Sequence, residues 1–131
     1  MTPRVFVWDC EALSRAVRGD RRMALLLKLA GEGEARLVTS PMTLVEAYDG
    51  RVPERRWDWV LSRVTVTSVG KQEAKQARLL LKHAGMHGHK HAIEAVLAVI
   101  ARGQRGEVTV FSSDAGDMER LLPPQVPVVK L

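Results

Sequence analysis

Residues Val5–Val17 read VFVWDCEALSRAV, and this stretch decides the fold class. Its first part, from Val5 to Trp8, is a short apolar run with β-branched residues, which predicts a buried strand that ends at Asp9. Apolar residues then recur at helical spacing, and Gly19 follows as a stop signal, so a helix is predicted over Glu11–Arg18. A buried strand that leads directly into an amphipathic helix is typical of α/β proteins.

The same alternation of strands and helices continues along the rest of the chain. Further strands are predicted at Arg36–Thr39, Val64–Val69, Glu107–Phe111 and Val126–Val129. Further helices are predicted at Arg21–Ala30, Met42–Tyr48, Pro53–Ser62, Lys71–Ala84, Ala92–Ala101 and Met118–Leu122. The segment HGHKH, residues 87–91, is predicted to be a loop leading into the helix at Ala92. We therefore predict a three-layer α/β/α fold with a mostly parallel central sheet, formed by one domain over residues 1–131.

The composition narrows the class of protein without identifying a function. With 46% hydrophobic and 27% charged residues, the 131-residue chain can form a globular core, and wholesale disorder is excluded. Cys10 is the single cysteine, which excludes a disulfide framework and favours a cytoplasmic location. No signal peptide or membrane span is predicted. The net charge of +5 fits a polyanionic partner such as nucleic acid, and it equally fits a basic surface unrelated to function.

Acidic residues fall where a parallel sheet would bring them to one edge. Asp9 follows the first predicted strand, and Asp114 and Asp117 follow the fourth. Glu46 and Glu94 lie on helices that can begin near the same edge, where ligand sites form in open α/β sheets. A cluster of carboxylate oxygens suits Mg²⁺ or Mn²⁺. Two such ions, roughly 3.5–4 Å apart, can support hydrolysis of a phosphodiester.

Each acid also has a plainer interpretation. Asp9 can cap the helix that follows it, and Asp114 and Asp117 can cap the last helix. Glu94 lies on an otherwise apolar helix, where an unpaired buried carboxylate is costly, so it either faces a site or pairs with a base such as Lys90. The joint pattern of the acids is therefore stronger than any one of them.

Four segments carry a resemblance to a known family. They are VFVWDCEALSRAVRGD (Val5–Asp20), LVTSPMTLVEAYDG (Leu37–Gly50), HAIEAVLAVIARG (His91–Gly103) and VTVFSSDAGDMERLL (Val108–Leu122). In order and spacing, the chain resembles the PIN-domain ribonucleases, the family that includes the toxins of VapBC-type toxin–antitoxin pairs.

The resemblance implies a metal-dependent endoribonuclease that uses Mg²⁺ or Mn²⁺. It implies these metal ligands: Asp9, Glu46, Glu94 and Asp114. Asp117 is expected to be an outer ligand or a substitute, and Ser112 is expected to orient the cluster and to belong to the substrate-binding set. The family usually has Asp at the third acidic position, where this chain has the longer Glu94.

The resemblance also implies partners: an RNA substrate, a second copy of the chain in a homodimer and a protein antitoxin. The expected role is then the toxin of a type II toxin–antitoxin pair. The alternative hypothesis is a catalytically weakened PIN-like module that binds protein or RNA, since a Glu in place of Asp would displace the metal.

The histidine segment allows three interpretations. His87, His89 and His91 could bind zinc together with Glu94, although alternate positions across a loop and a helix start do not share one face. They could form a surface loop without chemical consequence. In the third interpretation, His89, Lys90 or His91 lies near the scissile phosphate, and we include His89 and Lys90 in the predicted substrate-binding set.

Three further features are predicted to be structural. The basic stripe Lys71, Lys75, Arg78 and Lys82 is expected to be a solvated helix face rather than a track for a phosphate backbone. The pair Trp57 and Trp59 is expected to pack against the sheet or a dimer partner rather than to stack on bases. Cys10 is expected to be a small buried side chain rather than a nucleophile.

Overall fold

Five strands form one parallel sheet with the order β3-β2-β1-β4-β5. The computed structural model describes residues 2–131. The strands are β1 (Arg4–Trp8), β2 (Arg36–Thr39), β3 (Val64–Val66), β4 (Glu107–Ser112) and β5 (Val128–Lys130). The helices are α1 (Cys10–Val17), α2 (Arg21–Gly31), α3 (Pro41–Glu46), α4 (Glu54–Leu61), α5 (Lys71–Ala84), α6 (Gly88–Arg102) and α7 (Ala115–Leu121).

The central strand β1 pairs with β2 on one side and with β4 on the other. The chain therefore leaves β1 in one direction to form β2 and β3, and later returns to add β4 and β5 on the opposite side. Ligands in open α/β sheets bind at such a reversal of strand order, beyond the carboxyl ends of the strands. The residues that follow β1 and β4 therefore lie where a ligand site is expected.

Side chains of β1 alternate between two apolar clusters, one on each face of the sheet. Val5 and Val7 belong to the cluster formed with helices α5, α6 and α7. Phe6 and Trp8 belong to the cluster formed with α1, α2 and α4. Because successive side chains of a strand point to opposite faces, a continuous apolar strand requires helices on both sides. The predicted three-layer α/β/α fold with a parallel sheet is confirmed.

The largest difference from the predicted elements concerns the histidine segment, which is helical rather than a loop. Helix α6 begins at Gly88, and His91 interrupts it with non-helical torsion angles (φ −123°, ψ 18°). The backbone N–H groups of Lys90 and His91 both donate to the His87 carbonyl and so close this first turn. Positions 87 to 90 are exposed, so no apolar repeat marks the turn in the sequence.

The smaller differences lie at the ends of elements. Helix α3 ends at Glu46 rather than Tyr48, and α7 begins at Ala115 rather than Met118. The third strand ends at Val66, and the last one occupies Val128–Lys130. Sequence patterns locate the ends of elements less precisely than the elements themselves. Within residues 2–131, no helix is both long enough and apolar enough to cross a membrane.

Candidate metal centre

Four carboxylates from distant parts of the chain line one small cleft at the carboxyl end of the sheet. They are Asp9, Glu46, Glu94 and Asp114. Asp9 directly follows β1, and Asp114 lies two residues after β4, on the two sides of the reversal in strand order. Glu46 is the last residue of α3, and Glu94 lies just after the irregular residue of α6. The fold therefore brings together the four residues that the sequence predicts to be metal ligands.

Asp9 is buried, and both of its carboxylate oxygens accept backbone hydrogen bonds. Oδ1 accepts from the N–H of Ala12 and Oδ2 from the N–H of Ser113, each at 2.9 Å. Burial raises the pKa of this carboxyl above its ordinary value, and the nearby charge of Asp114 adds to the effect. The hydrogen bonds, including one with the Ser112 hydroxyl, act in the opposite direction. Asp9 therefore caps α1, as the plainer interpretation holds, and also lines the cleft.

Ser112 links the two strand ends. It is fully buried, and its Oγ accepts a hydrogen bond of 2.9 Å from the N–H of Asp114. Its hydroxyl also lies close enough to the Asp9 carboxylate to lower the pKa of that group. The predicted orienting role of Ser112 is consistent with these two contacts. Asp114 occupies the N-cap position of α7, but its side chain makes no capping hydrogen bond, so its exposed carboxylate remains available to the cleft.

Glu94 pairs with a histidine rather than with Lys90. The Nδ1 atom of His91 lies 2.9 Å from Oε2 of Glu94 and 3.6 Å from Oδ2 of Asp117. Burial raises the pKa of Glu94 above its ordinary value, the hydrogen bond with His91 lowers it, and the charges of Asp114 and Asp117 raise it. A carboxylate with this environment is stabilised by a cation placed beside it.

His91, Glu94 and Asp117 form the tightest cluster of ligand-type atoms in the described part of the chain. One ligand atom of each lies within 4.8 Å of the other two. Asp9, Glu46 and Asp114 line the adjoining cleft but do not belong to this closer group. The set as a whole offers carboxylate oxygens and one imidazole nitrogen, which are suitable donors for Mn²⁺ and, for the oxygens, Mg²⁺.

The cleft is also lined by a threonine whose buried hydroxyl has no hydrogen-bond partner in the described chain. Thr43 is fully buried and lines the cleft, yet its Oγ1 has no hydrogen-bond partner among residues 2–131. Buried hydroxyls are normally hydrogen-bonded. Thr43 is therefore an unpaired buried hydroxyl in a residue that lines the cleft, and the carboxylate oxygens alone carry the fit to a divalent cation.

The three histidines do not converge, so the three-histidine zinc site is wrong. His87 and His89 are exposed and lie outside the cluster that contains His91. His89 and Lys90 occupy the exposed first turn of α6 and do not line the cleft. Of the histidine segment, only His91 contacts the acids. The signal for this in the sequence is its spacing of three residues from Glu94, which places both side chains on one helix face.

Cys10 also lines the cleft, but its surroundings disfavour a nucleophile. Burial raises the pKa of its thiol to about 12, and the Glu46 carboxylate contributes to this shift. Reactive cysteines have a lowered pKa, because the thiolate is the nucleophile. Cys10 is only partly buried, rather than buried as predicted, and the expected absence of nucleophilic chemistry is consistent with its raised pKa.

Comparison with known proteins adds information about the fold. No family model matches the chain, and no curated protein sequence matches it. Its fold is similar to one chain of the crystal structure of VapBC2 from Rickettsia felis bound to a DNA fragment from their promoter. The TM-score is 0.65 at 13% sequence identity, and the match covers 97% of this chain and 98% of that chain. At this identity the similarity establishes a shared α/β fold.

The basic stripe of α5 and the tryptophan pair of α4 do not line the cleft. The basic stripe of α5 is exposed, as predicted for a solvated face. Trp57 is buried in the core, whereas Trp59 is 43% exposed. The guanidinium carbons of Arg56 and Arg63 lie 5.0 and 4.1 Å from the centre of the Trp59 ring. Trp57 therefore packs as predicted, and Trp59 is held at the surface by two arginines.

Proposed function

We propose that this chain is a metal-dependent endoribonuclease of the PIN type and the toxin of a type II toxin–antitoxin pair. The observation that carries the proposal is the cleft at the reversal of strand order, lined by Asp9, Glu46, Glu94 and Asp114. Carboxylates gathered at this position suit divalent cations and phosphodiester hydrolysis. The shared fold with a VapBC2 chain supports the family resemblance drawn from the four sequence segments.

In this proposal a bound Mg²⁺ or Mn²⁺ lowers the pKa of water and offsets charge that develops on the phosphate. Asp9 is held in a fixed orientation by two backbone N–H groups, and Ser112 fixes Asp114 relative to it. Glu46, the last residue of α3, lines the same cleft. A fixed set of oxygen donors loses little freedom when it binds an ion, so the protein supplies orientation in advance.

His91 supports a preference for Mn²⁺ over Mg²⁺. Its Nδ1 lies 2.9 Å from Oε2 of Glu94 and 3.6 Å from Oδ2 of Asp117, so the three side chains could bind one ion together. Mn²⁺ accepts an imidazole nitrogen beside oxygen donors more readily than Mg²⁺ does, since Mg²⁺ prefers oxygen donors alone. We therefore propose that both ions support the reaction and that Mn²⁺ binds more tightly.

We propose RNA as the substrate, a protein antitoxin as a partner, a homodimer as the assembly and the cytoplasm as the location. The net charge of +5 is favourable for a polyanionic substrate. The antitoxin and the homodimer rest on the resemblance to VapBC-type toxins. The similar fold occurs in the VapBC2 complex, which is consistent with a partner protein.

One observation favours the second candidate, a PIN-like module with weakened catalysis. Glu94 is longer than the Asp usual in the family, and its carboxylate is already paired with His91. A displacement of about 1 Å in a reacting group can reduce a rate about 10²-fold. The two candidates differ in RNA cleavage, while both allow RNA binding.

The deciding experiment measures cleavage of structured and unstructured RNAs with Mg²⁺, with Mn²⁺ and with a chelator. Wild type is compared with Asp9→Asn and with Asp58→Asn, which makes the same chemical change at an exposed position on α4. The ribonuclease proposal expects metal-dependent cleavage in wild type and Asp58→Asn, and loss in Asp9→Asn. RNA binding without cleavage under all these conditions would instead favour the weakened module.

A further inference from the structure

The ligand-type side chains at the carboxyl edge of the sheet fall into two groups of different chemistry. His91, Glu94 and Asp117 offer one imidazole nitrogen and two carboxylate oxygens, which all lie within 4.8 Å of one another, and we call them the mixed cluster. The other acids of the cleft lie outside this closer group: Asp9, Glu46 and Asp114. Glu94 lines the cleft as well, so it is common to both groups.

The three donors of the mixed cluster already lie close to the spacing of ligands around one ion. Nδ1 of His91 is 2.9 Å from Oε2 of Glu94 and 3.6 Å from Oδ2 of Asp117. Two ligands of a tetrahedral ion lie roughly 3.3 Å apart when each is about 2.0 Å from the metal. Small side-chain movements are therefore enough to bring the three donors onto one ion.

Two helices bring the mixed cluster together. His91 is the irregular residue of α6, and Glu94 follows three residues later on the same helix face. Asp117 lies in the first turn of α7, which packs against α6. The side chains of His91, Glu94 and Asp117 are 13%, 23% and 37% exposed. The cluster is thus held by packing and still open to an ion from solvent.

No lysine or arginine of the described chain neutralises the acids of the mixed cluster. The carboxylates that pair with arginine are those of Glu11 and Asp49. Glu94 and Asp117 have ion-pair contacts only with His91. One imidazole carries at most a single positive charge, which does not balance two carboxylates. A divalent cation would supply the missing charge.

We propose that the mixed cluster is a separate site for a divalent transition-metal ion, which binds Zn²⁺ more tightly than Mn²⁺ and Mn²⁺ more tightly than Mg²⁺. Zn²⁺ binds histidine nitrogen together with carboxylate oxygen. Affinity for such donors rises from Mn²⁺ to Zn²⁺, whereas Mg²⁺ binds through oxygen. The all-oxygen donors of the cleft are then the site for Mg²⁺.

This inference rests on the proposed ribonuclease function for what the ion does, because Glu94 belongs to both groups. Three protein donors leave one position of a tetrahedral ion open, and a phosphate oxygen of the RNA can bind there. Binding of the ion itself requires no RNA. It can therefore be tested separately from cleavage.

Titration calorimetry of the metal-free full chain with Zn²⁺ and with Mg²⁺ tests the division into two sites. In His91→Gln and Asp117→Asn, the affinity for Zn²⁺ is expected to fall about 10²-fold. In Glu46→Gln it should stay within about twofold of wild type, while the affinity for Mg²⁺ falls about tenfold or more. His89→Gln is the matched control, since His89 is exposed one turn earlier, and it should bind both ions as wild type does.

Nitrogen-15 NMR of the histidine rings identifies the donor in the wild-type protein. The chain has 4 histidines, and one equivalent of Zn²⁺ should shift the resonances of a single ring, the one that is missing in His91→Gln. If His91→Gln does not fold, Asp117→Asn replaces a more exposed side chain and still removes one donor.

The possible outcomes separate the two proposals. Unchanged Zn²⁺ affinity in Asp117→Asn and His91→Gln, or a Zn²⁺-dependent shift of another histidine ring, would overturn the mixed cluster as a metal site. Tighter binding of Mg²⁺ than of Zn²⁺ by wild type would overturn its selectivity. Absence of RNA cleavage by wild type with every ion, while Zn²⁺ still binds at His91, would overturn the ribonuclease proposal alone.

Discussion

His91 and Glu94 form a hydrogen-bonded pair of 2.9 Å across the point where helix α6 is irregular. The pair is three residues apart, and Asp117 of α7 approaches the same imidazole nitrogen. His91 therefore contacts Glu94, the position at which this chain has Glu where the resembled family usually has Asp. Two predictions test what this pair does.

The first prediction concerns His91→Ala. We expect its affinity for Mn²⁺ to fall about tenfold, the lower end of the effect seen when a group that supports metal ligands is removed. Its affinity for Mg²⁺ is expected to change less, because Mg²⁺ prefers oxygen donors. Titration calorimetry with each ion measures both constants. His89→Ala is the matched control, since His89 is exposed on the preceding turn. Equal losses in the two variants would contradict the assignment.

The second prediction concerns Glu94→Gln. Because burial and the charges of Asp114 and Asp117 disfavour the ionised form of Glu94, the neutral amide should raise the metal-free Tm by about 1–3 °C. The same change removes an anionic donor. The stabilisation by Mn²⁺, which for wild type is about 2.7 kcal/mol at 100 times Kd, should then largely disappear. Thermal unfolding with chelator and with Mn²⁺ measures both effects, and a Mn²⁺ shift equal to that of wild type would exclude Glu94 as a ligand.

The third prediction concerns Asp9→Asn, which should act in the opposite sense on stability. Asp9 accepts two backbone hydrogen bonds with two oxygens, whereas an amide has a single oxygen to offer. Either the buried N–H of Ala12 or the partly buried N–H of Ser113 then loses its acceptor, at a cost of about 1–3 kcal/mol. Urea unfolding in a chelator measures this loss. A metal-free stability equal to that of wild type would show that the two hydrogen bonds contribute little.

The fourth prediction tests how β4 is placed beside β1. Gly106 has φ +115°, and a Cβ atom built there would lie 2.3 Å from the carbonyl oxygen of Pro3. That carbonyl accepts a hydrogen bond from the N–H of Glu107 at the start of β4. Gly106→Ala is therefore expected to destabilise the fold by about 2 kcal/mol or more.

The control for this prediction is Gly116→Ala, because a Cβ atom at Gly116 would meet no atom within 4 Å. Gly116 lies in helix α7, where alanine is favoured over glycine by about 1 kcal/mol. Urea unfolding should thus give changes of opposite sign at the two glycines. A Gly106→Ala variant as stable as wild type would mean that the loop before β4 can rearrange freely.

Much of the fold follows from short patterns in the sequence. The apolar run before Asp9 predicts a strand buried on both faces, and the all-apolar helix after Glu94 predicts a central helix. Parallel strands place their carboxyl ends at one edge, so the positions of Asp9 and Asp114 could be predicted to meet. The structure confirms this architecture and places Glu46 and Glu94 at the same cleft.

The details of the cleft could not be predicted from the sequence. The turn at residues 87–90 is exposed and contains Gly88, so neither apolar spacing nor helix propensity indicates it. The contact between His91 and Asp117 joins α6 to α7 and depends on how the two helices pack. A helical threonine can hydrogen-bond to its own backbone or to another element. The sequence does not indicate which of these occurs, so the unpaired state of the Thr43 hydroxyl could not be predicted.

If the proposed toxin function holds, the exposed position of Glu46 has a practical consequence for producing the protein. Glu46 ends α3 and holds no backbone N–H group in place, unlike Asp9. Glu46→Gln should therefore silence the protein while preserving its shape, which makes it the better choice for producing an inert decoy. Under the proposed toxin function, such a decoy would let a bound antitoxin be recovered from cells without the growth arrest expected of an active copy.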